Sequence, residues 1–562
     1  SSDADLWGHV SYGRELLRDG HHPATTTWSY LVTDERWINH ENLAEFAAAL
    51  AVDYGGIWGL SLGKLALALI LVGAMLWACR LQGASWLATA LCVVTAASGI
   101  HFHWQFRPHT FSYTFFAVLI AILTWVFVDW RGDWRGWRQC WDGTPRDVPT
   151  DATRRLNGLL WLAPLFVLWT NAHGGFAAGV AVLTAYLGLR GLEAWAWWGR
   201  RATGVIARLA ATLGLVLMAT LLNPYGSDLH AWMLYDVLPA RPEIMEWRPI
   251  RLIHDLDSFL PIWLLFGLGG VSLLGTSRRR DVTQLVILAI LLWQGLAHLR
   301  HIVFFAILCG CWFAPHLQSV FDRLVRDFRD RSSASGACGV PPAGLAVGLG
   351  LWGLFLLTQL VPRLAEVQVE RRRFPVSAMQ FMADHQLAGN VMMEMNWAQY
   401  AIMCFESGPA SWRSSRVAVD GRLRTCYPWE TLDIYFDFAL GNGGPELRNR
   451  SPQSPPFDAG RILSVGSPDL ALLWRQQSHS IRVMEAQSDD WVLLYQDGLA
   501  QLWGRRSKYD DATSPDYLAP DQRRTTNEPQ LGAVRWPALP QRGMALECTS
   551  LLHDPQFSPV RR

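Results

Sequence analysis

Between residues 57 and 361 the chain alternates long apolar runs with short polar connections, and beyond that point the pattern changes. The runs at 57–79, 84–100, 111–130, 156–171, 175–198, 205–222, 258–275, 282–297, 302–317 and 342–361 are predominantly apolar. A hydrocarbon core about 30 Å thick needs about 20 such residues in a helix, so these ten predict spanning helices, several of them short. The run from Leu156 to Trp198 reads as a hairpin broken at Asn171-Ala172-His173-Gly174-Gly175. Past 361 no spanning run follows. Segments 390–396, 416–420, 461–465, 491–496 and 499–504 read as strands, and 375–385, 398–404, 428–440 and 468–476 as helices. That alternation predicts a small α/β domain. After Arg506 the chain is rich in Pro, Asp, Arg and Thr and reads as irregular. The expected organisation is a mainly α, polytopic membrane domain over 1–362 with a first external loop at 1–56, an α/β domain over 363–506 and a tail over 507–562.

Charge gives the bundle a direction. Arginine clusters fall in alternate connections: Arg80; Arg131 to Arg155; Arg200, Arg201 and Arg208; Arg278 to Arg280; Arg323 to Arg331. The positive-inside rule places these in the cytoplasm, and 1–56, 101–110, 171–175, 223–257, 298–301 and the C-terminal domain outside. Because Ser1 already lies in an external loop, a preceding anchor helix is expected, with a cleaved signal peptide as the alternative. Only 17% of residues are charged and the net charge is +1, which excludes a polyanion binder acting through bulk charge. Of 16 histidines, His316 alone falls at a cytoplasmic end. The others gather outside, which points to a polar cavity at the outer face. None of the nine cysteines forms a CxxC pair, so no zinc framework is present. Cys404 and Cys426 could pair in an oxidising compartment.

The first external loop is densest in chemistry. Asp5 and His9 stand at i and i+4, on one face of a helix starting near Leu6. Asp3 or Asp5 could equally cap that helix. His40 and Glu41 open an amphipathic stretch to Ala51 that reads as an interfacial helix. A carboxylate in such a pocket has the chemistry to deprotonate an acceptor hydroxyl. Asp3-Ala4-Asp5 has the spacing of a metal-binding DxD, so a divalent metal stays open. Near other outer helix ends lie Arg107, His173, Glu246, Arg300 and His301. Asn171 to Gly175 reads equally as a tight turn, Asn223-Pro224-Tyr225-Gly226 as a helix stop, and Asp420-Gly421-Arg422 as a strand-end turn or a glycan contact.

Asp5-Leu6-Trp7-x-His9, Gly13, Pro23, Ser29-Tyr30, Trp37 and His40-Glu41-x-Leu43 together resemble the first external loop of bacterial GT-C-type membrane glycosyltransferases. The resemblance continues through Arg107-Pro108, Asn171-x-His173-Gly174-Gly175-Phe176, Asn223 to Gly226, Glu246-Trp247 and Arg300-His301, and then through Asn396-Trp397-x-x-Tyr400, Asp420-Gly421-Arg422 and Trp491 to Tyr495. Gly8 and Asn42 depart from it, standing where Trp is common. The resemblance implies a distant relation to protein O-mannosyltransferases, a bacterial inner-membrane location and an inverting transfer from a polyprenyl-phosphate-linked sugar. The acceptor would be a glycan, lipid or protein. Asp5 would be the base, with Asp3 second and His9 beside it. His40, Glu41, Arg107, His173, Glu246, Arg300 and His301 would bind substrate, Arg107 and Arg300 facing the leaving phosphate. Other readings are an O-antigen ligase-like transferase leaning on Arg and His, a transporter, and a scaffold without catalysis.

Overall fold

The computed structural model describes residues 2–130, 132, 150–237, 244–250, 256–331, 358, 360–443 and 448–541. A short helix α1 (Leu6–Asp19) precedes a bundle of α2 (Asn42–Leu81), α3 (Trp86–Ile100), α4 (His109–Val126), α5 (Leu162–Ala172), α6 (Phe176–Trp198), α7 (Thr203–Thr220), α8 (Leu256–Gly275), α9 (Val282–Ala297), α10 (Ile302–Trp312) and α11 (Ala314–Arg331). Each apolar run is thus helical except 342–361, all but three of whose residues lie outside the described ones. Among the described residues, individual helices differ in how far they could reach across a membrane. Asn42–Leu81, His109–Val126 and Phe176–Thr220 are long and apolar enough to cross a membrane, and Leu299–Trp312 with Ala314–Asp327, bent by 46°, makes a fourth candidate. Helices α3 and α9 have only 15 and 16 residues. At 1.5 Å per residue they reach about 23 Å, short of the hydrocarbon thickness. Polar ends cut them back: α3 passes into the 3-10 turn His101–His103, and α9 stops at His298 in extended backbone. Likewise 156–171 opens as the 3-10 turn Leu156–Trp161 before α5.

Helix α2 starts earlier than the apolar run, absorbing the amphipathic stretch expected at the interface, and kinks at Gly56, where φ is 56°. Its first turns pack on α1. A Cβ at Gly13 would sit 2.1 Å from the Glu45 carbonyl oxygen, so glycine is what lets the two helices approach this closely. The arginine-bearing connections meet at the far end of the bundle. There Arg278 donates to the Gln82 carbonyl after α2 (3.2 Å), Arg190 of α6 to Asp281 before α9 (2.5 Å), and Arg208 to the Thr153 carbonyl (3.3 Å).

The C-terminal unit is α/β. Strands β1 (Gln368–Glu370), β2 (Asn390–Met393), β3 (Arg416–Val417), β4 (Leu470–Trp474), β5 (Trp491–Gln496), β6 (Ala500–Arg505), β7 (Arg524–Thr525) and β8 (Ala533–Arg535) form a six-stranded mixed sheet, ordered β3-β2-β4-β6-β5-β7, and a β1–β8 pair. Helices α12 (Val376–Asp384), α13 (Met395–Ser407), α14 (Trp429–Ala439) and α15 (Ser478–Glu485) accompany them. Two assignments differ from expectation. Segment 468–476, expected helical, is the central strand β4, buried from Leu470 to Leu473. A short, continuously apolar run is what a strand buried on both faces looks like. Segment 461–465, expected as a strand, is the 3-10 turn Arg461–Leu463. The tail expected to be irregular supplies β7 and β8 and packs back to residue 541. Cys404 and Cys426 are buried free thiols, not a disulfide.

The first loop belongs to the core of this unit. Trp7 is fully buried against Phe374 and Tyr400 (ring centroids 4.8 and 5.1 Å), and its indole donates to the Pro537 carbonyl at 2.9 Å. The Trp28–Tyr30 backbone bonds to Val417, extending the sheet beyond β3. Asp420-Gly421-Arg422 is the strut between the two. Asp420 accepts from Arg422 and the Tyr427 hydroxyl (both 2.7 Å), while the Arg422 guanidinium lies over Tyr12 and Trp37 and donates to Thr26 at 2.6 Å. The packing therefore crosses the boundary drawn at residue 362.

Candidate active site

At the end of the bundle opposite the arginines, α1, the start of α2, the start of α4 and the 244–250 segment bring their polar side chains together. Asp5 is the N-cap of α1, yet its side chain makes no capping bond. That leaves the carboxylate to Arg107, which precedes α4. Arg107 holds Asp3 (Nε to Oδ1, 2.5 Å), Asp5 (Nη2 to Oδ2, 3.0 Å) and Glu246 (Nη1 to Oε1, 3.4 Å). Glu246 thus pairs with the arginine 139 positions away in the chain. Asp3 also accepts the Asp5 main-chain N–H at 3.1 Å, which fixes the turn carrying both carboxylates.

One turn along α1, His9 is the second centre. Its Nδ1 lies 3.2 Å from Glu45 Oε1 and 3.9 Å from Glu41 Oε2. Glu41 Oε1 is 3.7 Å from the Nε2 atoms of both His40 and His173. Asn39 sets this geometry: its amide donates to Glu45 (2.6 Å), its carbonyl accepts the Glu41 N–H (3.0 Å), and its own N–H is held by the Tyr225 hydroxyl (3.1 Å). The turn ending at Gly226 therefore contributes a clamp to the site. His173 Nδ1 accepts from the Gly175 N–H (2.9 Å) and the Ser112 hydroxyl (2.8 Å), the latter accepting from Trp169. With Nδ1 an acceptor, the neutral ring carries its proton on Nε2, facing Glu41.

Burial sets the protonation states. Desolvation raises the Asp5 carboxyl above its usual range, against the opposing pull of Arg107. Burial also lifts Glu41 to about 7, with His9 opposing and Glu45 and Asp5 reinforcing. At His9 burial favours the neutral ring, but the Glu45 hydrogen bond and the Glu41, Glu45 and Asp5 charges overturn it and lift the ring to about 9. Burial holds His173 well below its usual value, with neighbouring cationic groups adding to the effect. These mutual influences make Asp5, Arg107, His9 and Glu41 one electrostatic unit.

Of the residues singled out from the sequence, Asp3, Asp5, His9, His40, Glu41, Arg107, His173 and Glu246 are brought together. Arg300 and His301 flank them. The Arg300 guanidinium lies 4.8 Å from the Trp247 ring, and His301 stands 5.5 Å from the His298 ring. Three residues were missed. Glu45 stands four positions after Glu41 and could have been found by helical spacing, while Asn39 lies in the irregular segment before α2, where no periodicity points to it. Gln399, on α13, donates to Asp5 Oδ1 at 3.0 Å, a contact no local pattern announces. It also bears on a departure from the resemblance: a Cβ at Gly8 would meet the Gln399 Cδ at 2.6 Å, so a side chain there would displace Gln399. Gly421 closes the same corner, its missing Cβ standing 2.6 Å from Asp5 Oδ1.

A cation at the Asp3-Ala4-Asp5 pair fits poorly, because the guanidinium of Arg107 already engages both carboxylates. The donor set that fits a divalent ion is His9, Glu41 and Glu45, whose ligand atoms lie within 4.8 Å of one another. Mixed imidazole and carboxylate donors suit first-row divalent metals.

No family model and no curated protein matches the sequence. Among solved structures, the crystal structure of the Archaeoglobus fulgidus oligosaccharyltransferase in the apo form superposes with a TM-score of 0.50 at 11% identity, over 84% of this chain and 66% of that one. The chain, a multi-pass helical bundle with a C-terminal domain, therefore has the GT-C fold of a membrane oligosaccharyltransferase, and spans a little under two thirds of that protein's length.

Proposed function

We propose that the chain is a membrane glycosyltransferase that moves a sugar from a polyprenyl-phosphate carrier to an acceptor hydroxyl at the extracytoplasmic face, with inversion. Asp5 takes the acceptor proton as the acceptor oxygen bonds to the anomeric carbon, and the carbon–oxygen bond to phosphate breaks with its electrons going to the phosphate. Arg107 is the nearest cation to that leaving group, with Arg300 behind it; fixed positive charge of this kind stabilises charge developing in the transition state. Asp3 and Glu246 orient Arg107, and His40, Glu41 and His173 line the substrate side. A divalent ion held by His9, Glu41 and Glu45 would add positive charge at that side.

The observation that carries this reading is the convergence of Asp3, Asp5 and Glu246 on Arg107, one helical turn from the His9–Glu41 cluster. A base beside a fixed guanidinium supplies both halves of an inverting displacement. The oligosaccharyltransferase fold supports the same class of chemistry. The test is turnover of polyprenyl-phosphate sugars by the purified protein in lipid. Asp5→Asn should lower kcat about a hundredfold or more while donor affinity stays near wild type. Equal turnover removes Asp5 as base, and absence of both donor binding and turnover overturns the reading.

A further inference from the structure

Two sequence motifs of the C-terminal unit, Asn396-Trp397-x-x-Tyr400 and Asp420-Gly421-Arg422, have no part in the proposed reaction. In the fold both arrive at Asp5. Helix α13 packs along α1, and Gln399 lies inside the first motif, one residue before Tyr400. Its neighbours hold it still. Trp397 donates its indole N–H to the Arg373 carbonyl at 2.8 Å, and Tyr400 its hydroxyl to the Ala538 carbonyl at 2.6 Å. Glu394 starts the helix by accepting the Asn396 N–H.

Gln399 is itself buried, only 3% exposed. Its side-chain amide donates to Asp5 Oδ1 at 3.0 Å and to the Asp5 main-chain carbonyl at 2.9 Å. Two glycines make the room. A Cβ at Gly8 would stand 2.6 Å from Gln399 Cδ, and one at Gly421 would stand 2.6 Å from Asp5 Oδ1 and 3.5 Å from Gln399 Cδ. A side chain at either position would push the amide or the carboxylate out of line. On the other side, Arg107 Nη2 holds Asp5 Oδ2 at 3.0 Å. The two oxygens are thus gripped by different parts of the fold, Oδ2 from the helical bundle and Oδ1 from the C-terminal unit. A carboxylate offers about four lone-pair sites, so these two bonds fix its plane without filling it.

We propose that Gln399 is a positioning residue for the Asp5 base, and that the C-terminal unit thereby completes the active site. The inference rests on Asp5 being the base. A base acts only when its lone pair is aimed at the acceptor proton, and a misplacement of about 1 Å can cost about a hundredfold. Without the Gln399 amide, the carboxylate can turn about its Cβ–Cγ bond on the Arg107 contact.

The experiment measures binding and turnover of a polyprenyl-phosphate sugar by the full chain in lipid, for Gln399→Met and Gln399→Glu, alone and combined with Asp5→Asn. Both changes keep nearly the size of glutamine; methionine removes the donor and glutamate replaces it with an acceptor. Each should lower kcat about tenfold, while donor KM and donor binding stay within about twofold of wild type. In the Asp5→Asn background neither should lower kcat further, because a residue acting through Asp5 has nothing left to position. Wild-type kcat in both single variants, with Asp5→Asn impaired, would overturn the role of Gln399 and leave Asp5 as the base. So would lost donor binding, a rise in donor KM in place of the kcat loss, or an equal kcat loss in both backgrounds, the marks of a contact that only supports the fold. Wild-type turnover in Asp5→Asn would instead remove the base itself, and this inference with it.

Discussion

His9 and Glu41 show how neighbours, more than residue type, set charge in this site. The Glu45 hydrogen bond and the neighbouring carboxylates lift His9 from 6.5 to about 9, so its protonated ring favours the folded state. A raised histidine gives its full contribution below pH 6.5 and loses it as pH climbs through 9. Glu41, lifted from 4.5 to about 7, acts in the same sense: its contribution is present below 4.5 and gone once pH passes 7. The melting temperature should therefore fall as pH rises from about 6 to about 9, and His9→Ala should flatten that slope. Parallel curves for wild type and variant would contradict the assignment. At this scale the sequence was informative where chemistry is local. Asp3, Asp5, His9, His40 and Glu41 stand in one loop, and i, i+4 spacing placed two of them on one face. Arg107 and Glu246 were visible as charges at helix ends, but not as partners of each other, because ion pairs across 139 positions leave no periodic trace.

Among the elements, α1 is the hinge of the account: its carboxylates face Arg107 while its aromatic residues face the C-terminal sheet. Trp7 is wholly buried there, and large-to-alanine changes at such positions cost about 3–5 kcal/mol. Trp7→Ala should lower the melting temperature accordingly and expose the junction near residue 30 to limited proteolysis; an unchanged melt and digestion pattern would contradict the shared core. The apolar runs foretold the helices well, because a hydrocarbon-matched pattern is long and uninterrupted. Length was the weak point, since histidines and arginines at helix ends shorten α3 and α9 without breaking their apolar character. Strand β4 was misread for a different reason: five residues apolar on both faces carry neither the period of a helix nor the alternation of an edge strand.

Over the whole molecule, one end gathers imidazoles and carboxylates and the other gathers guanidinium groups. His103 and His109 stand within electrostatic reach of Arg107 and His9 of Asp5, with His40 and His173 about Glu41, while Arg190, Arg208 and Arg278 close the far end through their own partners. Such polarity suits a device that works at one membrane face. A transport pathway calls for ionisable groups near mid-depth, whereas Arg190, the fully buried arginine of α6, sits toward the arginine-rich end and is paired with Glu193 and Asp281. The sequence carried this asymmetry plainly, since each loop's composition is local. It could not show that the C-terminal domain reaches back through Gln399 and Gly421 to touch Asp5, a closure made only by the fold. The most direct measurement is a structure of the protein in lipid with a non-hydrolysable polyprenyl-phosphate sugar. The account predicts the phosphate against Arg107 and the sugar beside Asp5; a donor seated elsewhere, with Arg107 still locked to Asp3 and Asp5, would contradict it.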